Sequence, residues 1–308
     1  MTGLSYPVWS RDTFRTRIAP RSETADLLLD AECGPGPGAG QYRLFPGALF
    51  LLWTGAIGGP GASGGAEPVA AALEMLHNWS LVHDDVLDGH ALRRGQPTLL
   101  GARGHNIAVL AGDALVARAM QTLGGLEAGR LPGVIARLAN AAASMVAGQM
   151  NDEPDVWARV ESREQHWLRV CFQKLALGNV SSSLAAFWCG RADLEDTVRS
   201  TMDEFSVVSQ IINDFGDVLN FAGYHEIGVS GRPRAEESSR KPTLPLIWAG
   251  VDAWDRIDAI GPLYERAKRE IACRKRAALN ELSRLPLDRD FMTILTDFFT
   301  RPSLPELG

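Results

Sequence analysis

Strand signals are almost absent from this chain, and that absence most constrains what it can fold into. Alternating runs of β-branched residues do not appear; Ala and Leu dominate, and apolar residues recur at helical spacing. The pattern reads as all-α, a set of many long helices. Helices are expected over Ser22–Glu32, 46–58, Pro68–Asp88, 105–124, 131–152, 158–187, 192–222, 241–251, 260–284 and 288–300. Pro46 suits a first helical turn, and the Gly- and Pro-rich stretches 34–40 and 58–65 read as loops. With 308 residues, 45% of them hydrophobic, the chain can bury a large core, and no linker divides it, so one domain over 1–308 is expected. A net charge of −6 argues against a nucleic-acid partner. Cys33, Cys171, Cys189 and Cys273 have no paired spacing and the N-terminus lacks a signal-peptide pattern, which together fit a reduced, cytoplasmic setting. The most apolar run, Phe45–Gly59, is broken by Pro46 and glycines. It falls short of the roughly twenty apolar residues a membrane span needs.

Chemistry concentrates in Glu74–Thr98, EMLHNWSLVHDDVLDGHALRRGQPT. Residues four apart lie on one helix face, so Asp84 and Asp88 point the same way, with Asp85 beside them. Paired carboxylates favour a hard cation such as Mg²⁺; no Cys or His cluster adjoins them to suggest zinc. Arg93-Arg94-Gly95 follows, a doubled cation beside a flexible residue. Metal-binding acids followed by guanidinium forks are what a diphosphate requires. The plain alternative is a solvated helix end. It is the weaker reading, because Leu81 and Val82 precede the acids, and aligned carboxylates against an apolar surface are costly without a counter-charge.

His83-Asp84-Asp85-Val86-x-Asp88, a spacer, and Arg93-Arg94-Gly95-x-Pro97-Thr98 resemble the first aspartate-rich motif of the trans-isoprenyl diphosphate synthases, or polyprenyl synthetases. The likeness continues, more weakly, to near the C-terminus. It implies an isoprenoid-synthase bundle of roughly ten or more helices around a central cavity with acids at its mouth. It also implies a homodimer, and Mg²⁺ as cofactor, with a third ion at a second acidic motif. That motif stands here as Gln210-Ile-Ile-Asn213-Asp214-Phe-Gly-Asp217. Asn213 and Asp217 share a face, with Asp214 beside them. Asn in place of the family Asp ligates without charge, which should weaken or displace the third ion. Asn213-Asp214 also opens like a terpene-cyclase motif, but Asp217 and Phe221 stand where that motif has Ser and Glu. Some synthases of irregular linkages resemble the Asn-Asp-x-x-Asp form.

A second departure lies upstream. Where the family has Gly-Lys-x-x-Arg-Pro to hold the acceptor, isopentenyl diphosphate, this chain has Gln41-Tyr42-Arg43-Leu44-Phe45-Pro46. Only Arg43 is charged, and no other alignment rescues the site, since the first lysine in the chain is Lys174. Each lost hydrogen bond to a charged group removes about 1.5–3 kcal/mol. His77 and Arg94 match other acceptor positions. Trp79, five residues before Asp84, matches a side chain that points into the cavity and limits product length; ordinary packing is an equal reading. Gly112-Asp113 and Gly148-Gln149-x-x-Asp152 match cavity-lining positions, with Gln149 touching substrate or a neighbouring helix. Lys174 matches a lysine that contacts the allylic diphosphate. Arg232 and Lys241 match cations that close over it, and the Gly-, Ser- and charge-rich stretch 222–240 between them has lid composition.

The resemblance thus implies ionisation of an allylic prenyl diphosphate. Asp84, Asp88, Asn213 and Asp217 would hold metal, and Arg93, Lys174, Arg232 and Lys241 the diphosphate. Asp85 and Asp214 are expected within the catalytic group, with Gln210 at the substrate. The first reading is a prenyltransferase joining the allylic unit to isopentenyl or dimethylallyl diphosphate. A cyclase using one diphosphate and a silent partner subunit are the alternatives; the intact first motif argues against the last.

Overall fold

The computed structural model describes residues 46–59, 61–93, 96–221, 242–257, 259–300 and 303–304. In chain order these form α1 (Pro46–Gly58), α2 (Glu67–Asp88), a hairpin of β1 (Leu92–Arg93) and β2 (Gln96–Pro97), α3 (Leu99–Arg103), α4 (His105–Leu123), α5 (Leu131–Asn151), α6 (Pro154–Trp157), α7 (Arg163–Lys174) and α8 (Ala176–Trp188). After a 3₁₀ turn at Ala192–Leu194 come α9 (Glu195–Phe221), α10 (Leu244–Ala249), a 3₁₀ turn at Trp254–Arg256, α11 (Ile260–Arg284) and α12 (Arg289–Thr300). The expected helix over Ser22–Glu32 lies outside the described residues.

Two expectations are corrected. The stretch 158–187 is not one helix. Ser162 is extended and its hydroxyl accepts from the Gln165 N–H, starting α7 afresh, and Leu175 breaks the chain between α7 and α8. The hairpin, with Leu92 opposite Pro97, was not expected at all, because arms of two residues are too short to show an alternating pattern.

The core has two parts. One gathers α1, α2, α4, α5, α8 and the end of α11 around Phe50, Trp53, Leu73 and Leu138; the other gathers α6, α7, α10 and the start of α11 around Trp157, Trp167 and Phe215. The long α9 belongs to both, through Val198, Met202 and Phe205 in the first and Val207–Leu219 in the second. Each fully buried Leu or Phe contributes about 1.5–3 kcal/mol relative to exposure, so α9 is fixed along its length. The first turns of α2 are swallowed by the core: Val69 to Leu76 are all buried. Its last turn is more open, with Leu87 exposed and Asp84 and Asp88 half-buried. Gly89, with φ +70°, ends it there in a left-handed conformation that a β-carbon would disfavour.

Among the described residues α5 is the one helix long and apolar enough, by length and composition, to cross a membrane. In this fold it packs against α7 and α8, burying Val134, Leu138, Ala141 and Met145. Of the four cysteines, Cys171, Cys189 and Cys273 are described, and each is a free thiol.

Candidate active site

Successive helix positions are about 100° apart, so the neighbours Asp84 and Asp85 cannot share a face. Asp84 and Asp88 lie half-buried on one side, with His77 two turns earlier on the same strip. Asp85 turns inward and is 7% exposed. Arg93 reaches back to it from the hairpin: its Nε donates to both carboxylate oxygens at 3.2 Å and its Nη2 to Oδ1 at 2.9 Å. Thr98 closes the segment, donating to the His90 carbonyl at 2.7 Å and accepting from the Gly101 N–H at 3.0 Å. Arg93 and Asp85, expected at the diphosphate and among the catalytic acids, thus form a strut that holds the hairpin on the end of α2. Arg94 lies outside the described residues, as do Arg43, Arg232 and Lys241.

The second acidic segment repeats the arrangement. On α9, Asn213 is exposed and Asp217 half-buried, while Asp214 between them is buried. Its carboxylate accepts from the Trp167 indole at 2.9 Å, the Gln210 amide at 2.6 Å and the Leu244 backbone N–H at 2.8 Å. Burial pushes this carboxyl up to about 6; the three hydrogen bonds restrain the rise, and the nearby Asp217 charge adds to it. Asp214 and Gln210, expected to act on substrate, instead join α9 to α7 and to the first residue of α10.

Between the two acidic segments stands α7. Trp167, which donates to Asp214, and Lys174 are seven residues apart and so share a helix face. The Lys174 ammonium donates to Asp152 Oδ2 at 2.9 Å. It titrates above the ordinary lysine range. Burial works to lower it and is outweighed by the charge of Asp152, then that of Asp84, with the Asp152 hydrogen bond and Asp88 adding to the rise. One face of α7 therefore borders both acid groups. Gly148 lets α5 approach this closely: a β-carbon there would lie 2.8 Å from Gln173 Cβ and 2.9 Å from the Lys174 backbone nitrogen. Beside it, both amide atoms of Gln149 are buried without a hydrogen-bond partner.

Asp152 gained no role beyond cavity lining from the sequence. Its other oxygen accepts from the Trp157 indole at 3.1 Å. The only advance signal was its spacing from Gln149; its partners come from other elements. Trp79 is half-buried, packed against the core, and meets His83 edge-on at 5.9 Å. Gly112, expected to line the cavity, makes room for the His83 ring, whose Nε2 would lie 2.1 Å from a β-carbon there. Asp113 beside it is exposed, 3.8 Å from that nitrogen.

Among the described residues no three His, Cys, Asp or Glu side chains converge as a ready-made metal cluster. Asp84 and Asp88 offer two carboxylates on one helix face, and Asn213 and Asp217 two oxygen donors on another. Magnesium is usually held by one or two carboxylates plus substrate phosphates rather than by an all-protein cage.

A helical bundle carrying such paired acids defines an isoprenoid-synthase type of protein. The polyprenyl synthetase family model matches residues 44–278, and the chain belongs to that family. It is 30% identical over 238 residues to a geranylgeranyl diphosphate synthase of Mycobacterium tuberculosis, covering 74% of this chain and 63% of that one. It is 33% identical over 232 residues to the farnesyl diphosphate synthase of Geobacillus stearothermophilus, covering 71% of this chain and 74% of that one. The chain thus spans less than two thirds of the mycobacterial relative's length. In fold it resembles a polyprenyl synthetase from Streptomyces coelicolor (TM-score 0.74, 24% identity, 94% and 95% of the two chains covered). It also resembles a Helicobacter pylori geranyltransferase solved with magnesium and isoprenyl diphosphate (TM-score 0.69, 21% identity, 91% and 87% covered).

Proposed function

We propose that the chain is a magnesium-dependent prenyltransferase that ionises an allylic prenyl diphosphate and joins it to a second prenyl unit. The observation that carries this reading is the α7 face, where Lys174 stands within electrostatic reach of Asp84 and Asp88 while Trp167 grips the second acidic segment. The two relatives, named as synthases of geranylgeranyl and farnesyl diphosphate, support it.

The donor set fits the metal. Asp84 and Asp88 on α2, with Asn213 and Asp217 on α9, offer hard oxygen ligands, and the inner acids Asp85 and Asp214 are committed elsewhere. Bound there, Mg²⁺ would neutralise charge developing on the leaving diphosphate. Lys174 would donate to the same oxygens; its raised titration keeps it protonated at neutral pH. The allylic C–O bond breaks, and diphosphate departs with the electron pair. The acceptor's double bond attacks the cation, and a proton is lost. The apolar helices around the site exclude water, which would otherwise quench the cation.

Tyr42 and Phe45, in place of two cations, should make isopentenyl diphosphate a weak acceptor. The homodimer that the family likeness implies fits one feature of the surface. Ile107, Leu110 and Met120 on α4 and Ile135, Val146 and Met150 on α5 are exposed apolar side chains, the α5 three lying along one helix face. A second copy of the chain would cover them.

The test is incubation with Mg²⁺ and labelled allylic diphosphates, with and without isopentenyl diphosphate. A longer diphosphate formed only with acceptor is the expected product. A hydrocarbon or alcohol formed without acceptor would replace this reading with cyclisation.

A further inference from the structure

Asp152 is gripped from two sides. Its Oδ1 accepts from the Trp157 indole at 3.1 Å and its Oδ2 from the Lys174 ammonium at 2.9 Å. Trp157 is itself buried and meets the His166 ring edge-on at 4.5 Å, and His166 Nε2 lies 2.8 Å from the Asn151 carbonyl. Asn151 in turn donates to Gln173 at 2.9 Å, one residue before the lysine. Two side-chain links, Asp152–Lys174 and Asn151–Gln173, therefore fasten the end of α5 to the last turn of α7, while Trp157 at the end of α6 holds Asp152 and His166 ties the first turn of α7 to Asn151. This is more fixing than a carboxylate needs if it only lines a cavity.

Lysine is a compact charge on a four-carbon stem that swings easily. Three carboxylates act on this one: Asp152 from α5, and Asp84 and Asp88 from α2. If the last two hold a metal, an untethered Lys174 is their natural competitor, because it would neutralise the charge that draws the cation in. We infer that Asp152 is a positioning residue that holds the Lys174 ammonium away from Asp84 and Asp88, leaving those acids to the metal and the lysine to the diphosphate. Trp157 is the back-stop that sets the carboxylate's angle. The inference rests on the proposed metal role of Asp84 and Asp88.

Direct binding of Mn²⁺ to the full-length protein in the presence of inorganic diphosphate, followed by electron paramagnetic resonance, separates the two claims. Asp152→Asn keeps an oxygen to accept from Trp157 and removes the charge and the acceptor oxygen that tether the lysine. It should weaken Mn²⁺ binding roughly two- to fivefold, the size of a partly exposed ion pair, with the melting temperature little changed. Adding Lys174→Met to that variant removes the competitor and should raise Mn²⁺ affinity above that of Asp152→Asn, short of the wild-type level because a diphosphate contact goes with it. Loss of fold alone would leave the double variant as weak as the single one or weaker, and that result overturns the inference, as does wild-type affinity in Asp152→Asn. Should Asp152→Asn fold poorly, Trp157→Phe keeps the ring and drops the indole donor; a smaller weakening, again partly reversed by Lys174→Met, is expected, and no change counts against the tether. Asp84→Asn is the control. If Mn²⁺ binding is the same with and without that carboxylate, the metal assignment itself fails and the inference falls with it; if binding is lost there but unchanged in Asp152→Asn, only the inference falls.

Discussion

Replacing Asp214 with Asn should change how stability depends on pH, by an amount the structure sets. The buried carboxyl titrates at about 6 against an ordinary 3.8. A shift of that size corresponds to about 3 kcal/mol between the protonated and charged forms in the folded state. The sign follows from which state binds the proton more tightly. Here the folded state does, so the stabilising contribution is complete below the unfolded value near 4 and is lost as pH rises through about 6. Urea unfolding of the wild type and Asp214→Asn, in metal-free buffer across pH 4 to 7, isolates the group, since other titrations largely cancel in the difference. The wild type should lose about 2 kcal/mol of that contribution relative to the variant between pH 4 and 7, part of the change lying below pH 4. The variant has a uniform penalty as well. Three donors point at this side chain, and an amide oxygen cannot serve all of them, at a cost of about 1–3 kcal/mol. Curves that stay parallel from pH 4 to 7 would refute the idea that Asp214 is an enclosed anchor.

The other inner acid, Asp85, is tested by its contribution to stability. Asp85→Asn breaks a two-pronged pair with Arg93, itself about a quarter exposed, and should cost about 1–3 kcal/mol by urea unfolding; an unchanged midpoint would mean the strut is idle. Gly148→Ala pushes a β-carbon against Gln173 and Lys174 and should cost about 1–3 kcal/mol while lowering turnover. A wild-type melting temperature would show that α5 and α7 can part without cost. Leu110→Glu combined with Met150→Glu places charge on the exposed faces of α4 and α5, and sedimentation should then report monomer instead of dimer; a persistent dimer would mean those faces are not its contact.

The long helices were legible because their ends carry their own signals. Pro at the start of α2 and α5 and Gly89 after Asp88 mark boundaries that the observed ones match within a residue or two. The break inside 158–187 was not legible, since Leu175 carries no breaker signal and Ser162 caps only weakly. Within the site, four-residue spacing told which acids share a face. It could not tell that the neighbours Asp85 and Asp214 are struts. Asp85 is committed only because a hairpin returns Arg93 to it, and Asp214 because its partners Trp167 and Leu244 come from 47 and 30 residues away. Asp152 was passed over for the same reason, its lysine being 22 residues distant.

The division of labour between outer and inner acids is tested most directly by anomalous scattering from Mn²⁺ in crystals grown with diphosphate. Peaks are expected against Asp84 and Asp88 and against Asn213 and Asp217, with the diphosphate between them and the Lys174 ammonium on its oxygens. Peaks at Asp85 or Asp214, or a diphosphate bound away from the α7 face, would contradict the account.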